Sequence, residues 1–255
     1  MPCNHCGQRL FNEMERAHWT YVFPDDRLNL LRIAAQALQP PVEYAPDWMK
    51  PRSPAVRVID SLISLNRRYN GFVVPRVKHF EQAYPEVQSV QDLQSMIAEY
   101  PSHGDFLRDA LHYSHADRAN ALSGVVNWLV PISGEGSTQE QLAKLTQWAR
   151  EAEPRDYCDV GVRGFALGGF QYLRILFEAC TIKPDVYVLR FVRREFGRCS
   201  PLQAIALLEQ LAAGVGLCAR HLDLTIWENE RDRNNAGPNA PGHCARLGGA
   251  EMPQH

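Results

Sequence analysis

The chain has 255 residues, of which 45% are hydrophobic and 22% are charged, and its formal net charge is −2. A chain of this length and composition can bury one good core, or two small cores that share a boundary. No stretch is apolar for long enough to cross a bilayer, and the N-terminus lacks a secretory signal pattern. The odd count of seven cysteines also argues against a full disulfide framework. These features favour a cytoplasmic protein with reduced thiols and no membrane contact.

Apolar residues recur with helical periodicity along most of the chain, and no segment alternates with period two for long enough to indicate a sheet. The predicted fold class is therefore all-α. Predicted helix starts include a capping box of Ser89 with Asp92 and a cap at Ser137 or Thr138. The predicted helices span 11–38, 54–68, 70–84, 89–99, 105–113, 115–130, 138–151, 155–162, 168–179, 185–196, 201–213 and 217–229.

Both ends of the chain have the composition of tails. Residues 1–12 form a predicted flexible tail that carries a CxxC motif. Residues 231–255 consist mainly of Asn, Gly, Pro and charged residues, with almost nothing to bury, so we predict a disordered tail there.

A glycine-rich segment stands out near the middle of the C-terminal half. Residues 161–174 read GVRGFALGGFQYLR, a pattern typical of a helix end, a turn and a new helix. Glycines let an anion approach the backbone and accept positive φ angles, and a helix N-terminus attracts negative charge. Downstream, Lys183-Pro184-Asp185 predicts a turn that presents an aspartate where the next helix begins.

This order and spacing resembles the helix-hairpin-helix DNA glycosylase superfamily, the group of endonuclease III and the adenine glycosylases. Residues 64–80 resemble the early helix pair of that family, and residues 116–122 are similar to the helix before its hairpin. The resemblance covers about residues 54–197. It implies a two-lobed protein with a helical barrel over 54–179 that ends in the helix-hairpin-helix motif. Residues 13–53 and 180–230 would together form the second helical lobe.

The resemblance implies a DNA-repair hydrolase that binds double-stranded DNA and removes a flipped, damaged or mismatched base. Asp185 falls where the family keeps its essential aspartate, which stabilises positive charge on the sugar. Gly164 matches the first hairpin glycine, whereas Ala166 stands in place of the second. The family's nucleophilic lysine corresponds to Gly168, beside Gly169, so the expected enzyme is a monofunctional DNA N-glycosylase.

Two further sets of residues are candidate DNA contacts. Asn66 lies near the family position that fills the gap left by the extruded base, with Arg67 next to it. Arg190, Arg193 and Arg194 share one helix face by their spacing and could meet phosphates, although a solvated face is the commoner outcome for such a cluster. The net charge of −2 counts against DNA binding, because such proteins concentrate positive charge, but a local patch would suffice.

No cofactor and no metal site are predicted. Many family members hold an iron–sulfur cluster with four cysteines near the C-terminus, whereas this chain has only Cys218 and Cys244 there, far apart. Cys3 and Cys6 resemble half of a zinc knuckle, and the missing second CxxC favours a free reduced tail.

Two other interpretations stay open. Asp185 could simply cap its helix. The altered hairpin glycine at Ala166 and the absent lysine leave open a non-catalytic helix-hairpin-helix module that binds DNA. Alternatively, the helical fold would serve protein–protein contact, which the acidic balance suits, and DNA would not bind at physiological salt. The sequence indicates no particular protein partner.

Overall fold

A computed structural model describes residues 21–39 and 52–235, and these ranges contain helices and no strand. The predicted all-α class is thereby confirmed for the described part of the chain. No helix there combines the length and the apolar character needed to cross a membrane. The α-helices are α1 (Asp25–Gln36), α2 (Pro54–Ile63), α3 (Val74–Ala83), α4 (Val90–Glu99), α5 (His103–Leu111), α6 (Ala116–Ser133), α7 (Thr138–Glu151), α8 (Leu167–Leu176), α9 (Val186–Glu195), α10 (Pro201–Gly214) and α11 (Ala219–Asn235).

Side-chain caps fix the start of most helices. Ser89 and Asp92 form a capping box on α4, and Ser137 forms one with Glu140 on α7. Each box satisfies backbone N–H groups that have no partner inside the helix. Both predicted starts are confirmed, and α7 has the predicted bounds.

The predicted helix 54–68 is shorter in the structure, because α2 ends at Ile63. The hydroxyls of Ser61 and Ser64 donate to the carbonyls of Val58 and Ser61 at 2.8 and 3.0 Å, which offers the backbone an alternative to further helix. Asn66 then adopts a left-handed backbone with φ 59°. After this loop, Tyr69–Val73 forms one turn of π-helix that leads into α3.

The predicted helix 155–162 is wrong. Only a 3₁₀-helix, Pro154–Cys158, forms there, and a loop with positive φ at Gly161 and Gly164 follows it. At the other end of the chain, α11 continues to Asn235, five residues into the predicted C-terminal tail. Residues 1–20, 40–51 and 236–255, which include the predicted N-terminal tail, lie outside the described residues.

Buried hydrophobic residues form two clusters. The first is built by α2 to α8 around large side chains such as Phe80, Phe106 and Phe170. The second is built mainly by α1 and α9 to α11, around residues such as Leu31 and Phe191. The connection between α8 and α9 passes from the first cluster, which contains Ala179, to the second, which contains Ile182.

Candidate functional site

One arginine joins two loops that are distant in the sequence. The Arg118 guanidinium, on α6, donates to the Leu65 carbonyl at 3.3 Å and to the Gly164 carbonyl at 3.4 Å. These contacts place the loop of residues 64–68 beside the loop of residues 161–166. We call the two loops with Arg118 the two-loop surface. It unites the segments that carry the predicted Asn66, Arg67 and Gly164 contacts.

The first loop presents Asn66 and Arg67 to solvent. Arg67 is held by aromatic rings, since its guanidinium carbon lies 5.4 Å from the centre of the Phe72 ring and 5.5 Å from that of Tyr113. It also donates to the Tyr113 hydroxyl at 3.1 Å. Arg67 is therefore pre-positioned at the surface by the π-helix, which supplies Phe72.

The second loop leads into a helix start without a side-chain cap. Ala166 occupies the N-cap position of α8 and cannot accept a hydrogen bond through its side chain. Within the described residues, the amides of Leu167 and Gly168 donate to no acceptor. Gly164 is exposed with φ +84°, and a Cβ atom at Gly168 would meet nothing within 4 Å. The start of α8 therefore combines backbone N–H groups that have no acceptor with open space beside them.

Gly169 serves a different purpose from its neighbour. A Cβ atom there would lie 2.9 Å from the Phe165 ring and 3.2 Å from Leu65 Cδ2. Its missing side chain lets α8 pack closely against the first loop. Close packing therefore accounts for Gly169 without a ligand, while Gly168 faces open space and a Cβ atom at Gly164 would lie 4.0 Å from Ala121 Cβ.

Two exposed arginines add charge to the two-loop surface. Arg68 and Arg163 are exposed, and neither forms an ion pair with any described residue. The chain as a whole has a net charge of −2, so affinity for phosphate would depend on such individual cations at the surface.

Asp185 caps the next helix. Its Oδ1 accepts from the amides of Tyr187 at 2.9 Å and Val188 at 3.1 Å, as an N-cap aspartate should. Its Oδ2 accepts no hydrogen bond from any described residue, and the residue is half-buried. One oxygen caps the helix, and the other has no hydrogen-bond donor among the described residues.

A second carboxyl lies close to Asp185. Asp223, on α11, is buried and accepts from the Lys183 amide at 2.8 Å. Burial raises the pKa of Asp223 well above its usual range, and the neighbouring Asp185 carboxylate raises it further. Burial and a neighbouring like charge therefore both favour the uncharged form of the Asp223 carboxyl.

A third carboxyl forms the centre of a buried polar network. Asp60, on α2, accepts from Arg52 Nη1 at 2.8 Å, from the Tyr69 hydroxyl at 2.6 Å and from the Tyr172 hydroxyl at 3.1 Å. Burial raises the pKa of Asp60, against the opposite effects of these donors. The Lys183 ammonium lies 3.9 Å from the centre of the Tyr172 ring. The network therefore ties α2 and α8 to the connection that carries Asp185.

The three predicted arginines of α9 are partly engaged in structure. Arg194 forms a 2.8 Å ion pair with the buried carboxylate of Glu230, and Arg190 donates to Asn234 at 3.2 Å. Arg193 is exposed and makes no ion pair with a described residue. The contacts of Arg190 and Arg194 thus hold α9 against α11.

A groove of about 360 Å³ lies apart from these residues, between α4, α5 and α6. It is lined by Gln94, His103 and Asn127 among others, and none of the sequence-predicted site residues faces it. In the described ranges 21–39 and 52–235, no group of three or more His, Cys, Asp or Glu side chains is placed to hold a metal ion. The weak metal candidates Cys3 and Cys6 lie outside those ranges.

The site residues predicted from the sequence do not include Arg118, Asp60, Lys183 or Asp223. Asp60 interrupts the apolar run 54–63, and Asp223 interrupts the run 222–227. An acidic residue inside an apolar helix indicates a buried carboxyl that needs partners. The sequence therefore shows that these two carboxyls need partners, but it does not show which residues those partners are.

Over residues 29–231, the chain matches the family described as "Domain of unknown function (DUF8548)". The chain belongs to this family. The span of the DUF8548 match includes both loops of the two-loop surface and all three carboxyls. No curated protein and no solved structure matches the chain. The geometry of this DUF8548 chain is therefore the basis for inferring its function.

Proposed function

We propose that the chain is a DNA glycosylase-like protein that hydrolyses the N-glycosidic bond of a flipped, damaged or mismatched base. The observation that carries this proposal is the two-loop surface, where Arg118 holds the Asn66 loop beside the Gly164 loop. These are the two segments in which the sequence resembles the DNA-contacting parts of helix-hairpin-helix glycosylases. Their closeness in space supports a common ligand.

In this proposal the fold has two lobes. The first hydrophobic cluster corresponds to a helical barrel over residues 54–179, and the second cluster to a lobe that combines α1 with α9 to α11. The helix-hairpin-helix motif comprises the 3₁₀-helix Pro154–Cys158, the loop 161–166 and α8. Asp185 would lie at the mouth of the cleft between the lobes.

The two-loop surface would bind the DNA backbone. A phosphate would accept hydrogen bonds from the amides of Leu167 and Gly168 at the start of α8, where the helix dipole favours an anion. Arg68 and Arg163 would neutralise neighbouring phosphates. Asn66, at the tip of its loop, would occupy the gap in the duplex.

Asp185 would perform the chemistry through its Oδ2. As the bond between the base and C1′ breaks, the base leaves with the bonding electrons and the sugar acquires positive charge. The Asp185 carboxylate would stabilise that charge and take a proton from the water that attacks C1′. Burial and the neighbouring Asp185 charge favour the uncharged form of the Asp223 carboxyl. With Gly168 in place of a lysine, no covalent intermediate forms at that position.

A non-catalytic DNA-binding module is the second candidate function. The observation in its favour is the cap that Asp185 forms on α9, because this role alone accounts for an aspartate there. Both candidates predict binding to DNA that weakens with salt. Only the proposed enzyme releases a base.

A screen for base release tests the proposal. Labelled duplexes, each with one damaged or mismatched base, are incubated with the protein and split into samples with and without hot alkali. We expect at least one duplex to break after alkali only, since a monofunctional glycosylase leaves an intact abasic strand. The undamaged duplex is the control. Breakage without alkali would contradict the monofunctional mechanism, and binding without release from any duplex would favour the module.

A further inference from the structure

Two cysteines and a histidine meet where the α8–α9 connection touches the start of α11. The Cys180 sulfur accepts a hydrogen bond from the Ala219 amide at 3.1 Å. The Cys218 side chain, at the position before α11, hydrogen-bonds to the same sulfur. His221 Nδ1 lies 3.2 Å from the Cys218 sulfur. The result is a continuous chain from imidazole to thiol to thiol, and neither cysteine is in a disulfide.

The first cysteine is placed to ionise. The Cys218 hydrogen bond and the backbone amides of Arg220 and Ala219 lower the pKa of Cys180 to about 7, against burial and the nearby Glu209. A thiolate at a helix N-terminus gains from the helix dipole in the same direction. The lowered pKa of Cys180 increases the fraction of thiolate, which is the reactive form, at neutral pH.

The two thiols differ in access to solvent. Cys180 is half-buried, so a small reagent can reach it, whereas Cys218 is buried. A reactive, accessible thiolate beside a protected second thiol is the arrangement found in redox-active pairs. Cys199 provides an internal contrast, because burial raises its pKa and no described thiol or histidine accompanies it.

We propose that Cys180 and Cys218 form a reversible redox pair, in which Cys180 reacts with a hydroperoxide and Cys218 resolves the product to a disulfide. This inference is independent of the proposed glycosylase function. It assigns a modification site to the α8–α9 connection. The predicted Asp185 site lies on the same connection, five residues further along the chain.

The proposed oxidation takes place in two steps, which are attack on the peroxide and disulfide formation. The Cys180 thiolate attacks one peroxide oxygen, so an S–O bond forms and the O–O bond breaks. The sulfur loses two electrons to the peroxide, which leaves as an alcohol or water after protonation. His221 then takes the Cys218 proton, and the resulting thiolate attacks the Cys180 sulfenic sulfur. The S–S bond forms, the S–O bond breaks, and hydroxide leaves with the proton as water.

The disulfide would link two elements that carry the carboxyl pair. Cys180 lies on the connection that leads to Asp185, and Cys218 immediately precedes α11, which carries Asp223. Oxidation would therefore tether the connection to the start of α11 covalently. Reduction by a thiol would restore the hydrogen-bonded pair.

Peptide mapping of the full chain tests the proposal. The protein is treated with hydrogen peroxide, its remaining thiols are alkylated, and non-reduced peptides are identified by mass spectrometry. We expect a Cys180–Cys218 link that disappears after reduction with dithiothreitol. The variant Cys199→Ser should form the same link and is the matched control. Absence of the link, or a link from Cys180 to another cysteine, would overturn the proposal.

Two variants and a kinetic measurement separate the roles. Cys218→Ser should retain a Cys180 sulfenic acid that a dimedone probe labels, whereas Cys180→Ser should give neither label nor link. If Cys218→Ser fails to fold, the wild-type protein still gives a decisive result through its alkylation rates. The rate at Cys180 should be half-maximal near pH 7. The rate at Cys199 should still be rising at pH 9. Equal pH profiles at the two sites would overturn the proposed activation.

Discussion

Helices α8 and α9 begin on similar backbones but with opposite capping. Ala166 and Asp185 both adopt extended N-cap conformations, with φ −101° and ψ −175° for the first and φ −86° and ψ −178° for the second. The backbone at Ala166 is thus suited to a capping side chain, and the sequence supplies a methyl group. At α9 the amides are satisfied by Asp185, whereas at α8 they stay open.

This difference indicates that the starts of α8 and α9 have different functions. A missing cap costs about 1 kcal/mol of stability, so an open N-terminus is retained at the expense of stability. We interpret the start of α8 as an anion-binding position and the start of α9 as the place where a negative charge is fixed. Substitutions at the start of α8 and at the start of α9 test these two interpretations separately.

The largest effect is expected from removal of the charge at α9. Asp185→Asn keeps a good N-cap residue but loses the carboxylate, so we expect base release to slow by about 100-fold or more. The free energy of unfolding should change by only a few tenths of a kcal/mol, since asparagine and aspartate are similar caps. Single-turnover base release and urea unfolding measure the two quantities.

Asp185→Ala is the matched variant for that experiment. It removes both the charge and the cap, so it should lose the same activity and, in addition, about 1 kcal/mol of stability. Full activity in Asp185→Asn would restrict Asp185 to its structural role and assign the chemistry to another group.

The second-largest effect is expected when a capping residue is placed at the start of α8. Ala166→Asp should cap α8 and raise the free energy of unfolding by about 1 kcal/mol. The same carboxylate would occupy the amides and repel phosphate, so DNA affinity should fall about tenfold, which corresponds to about 1.4 kcal/mol. Chemical denaturation and fluorescence anisotropy with a labelled duplex provide the two readouts.

Ala166→Ser controls for charge in this test. It should stabilise α8 through a neutral cap and weaken DNA binding less than aspartate does. Gain of stability without any loss of affinity in either variant would show that the start of α8 does not bind DNA.

A smaller effect is expected from Asp223, the buried carboxyl next to Asp185, on the pH dependence of stability. Because its pKa is raised in the folded protein, Asp223 keeps its proton to a higher pH than in the unfolded chain, where its pKa is about 4. The folded state therefore binds more protons above that pH, and this group makes stability decline as pH rises towards its folded pKa. The slope is at most about 1.4 kcal/mol per pH unit.

Asp223→Asn should flatten that pH dependence, because asparagine can still accept from the Lys183 amide but does not titrate. Urea unfolding of both proteins between pH 5 and pH 7 measures the difference. Identical slopes would contradict a raised pKa of Asp223 in the folded protein.

The sequence was sufficient for features that depend on neighbouring residues. Helix α7 and its cap at Ser137 follow from local periodicity and a capping box that spans four positions. The all-α class also follows from periodicity along the chain. The cap role of Asp185 was one of the two interpretations considered for that residue.

The features that escaped prediction depend on contacts between distant residues. Arg118 reaches carbonyls 53 and 46 residues away, and the Tyr172 hydroxyl reaches Asp60 from 112 residues away. The π-helix places Tyr69 against the same carboxylate, and a periodic pattern does not encode that partner. Cys180 and Cys218 likewise meet only through the packing of the α8–α9 connection on α11.

The most direct test of the anion-binding assignment is a titration of the protein into two fluorescent duplexes, one intact and one with an abasic-site mimic, at several salt concentrations. We predict tighter binding to the mimic and a logarithm of affinity that falls linearly with the logarithm of salt. The double variant Arg68→Ala with Arg163→Ala should make that slope shallower by about 1.8, or about 0.9 for each phosphate that is no longer neutralised. No binding to either duplex at low salt would contradict a DNA-binding role for the two-loop surface.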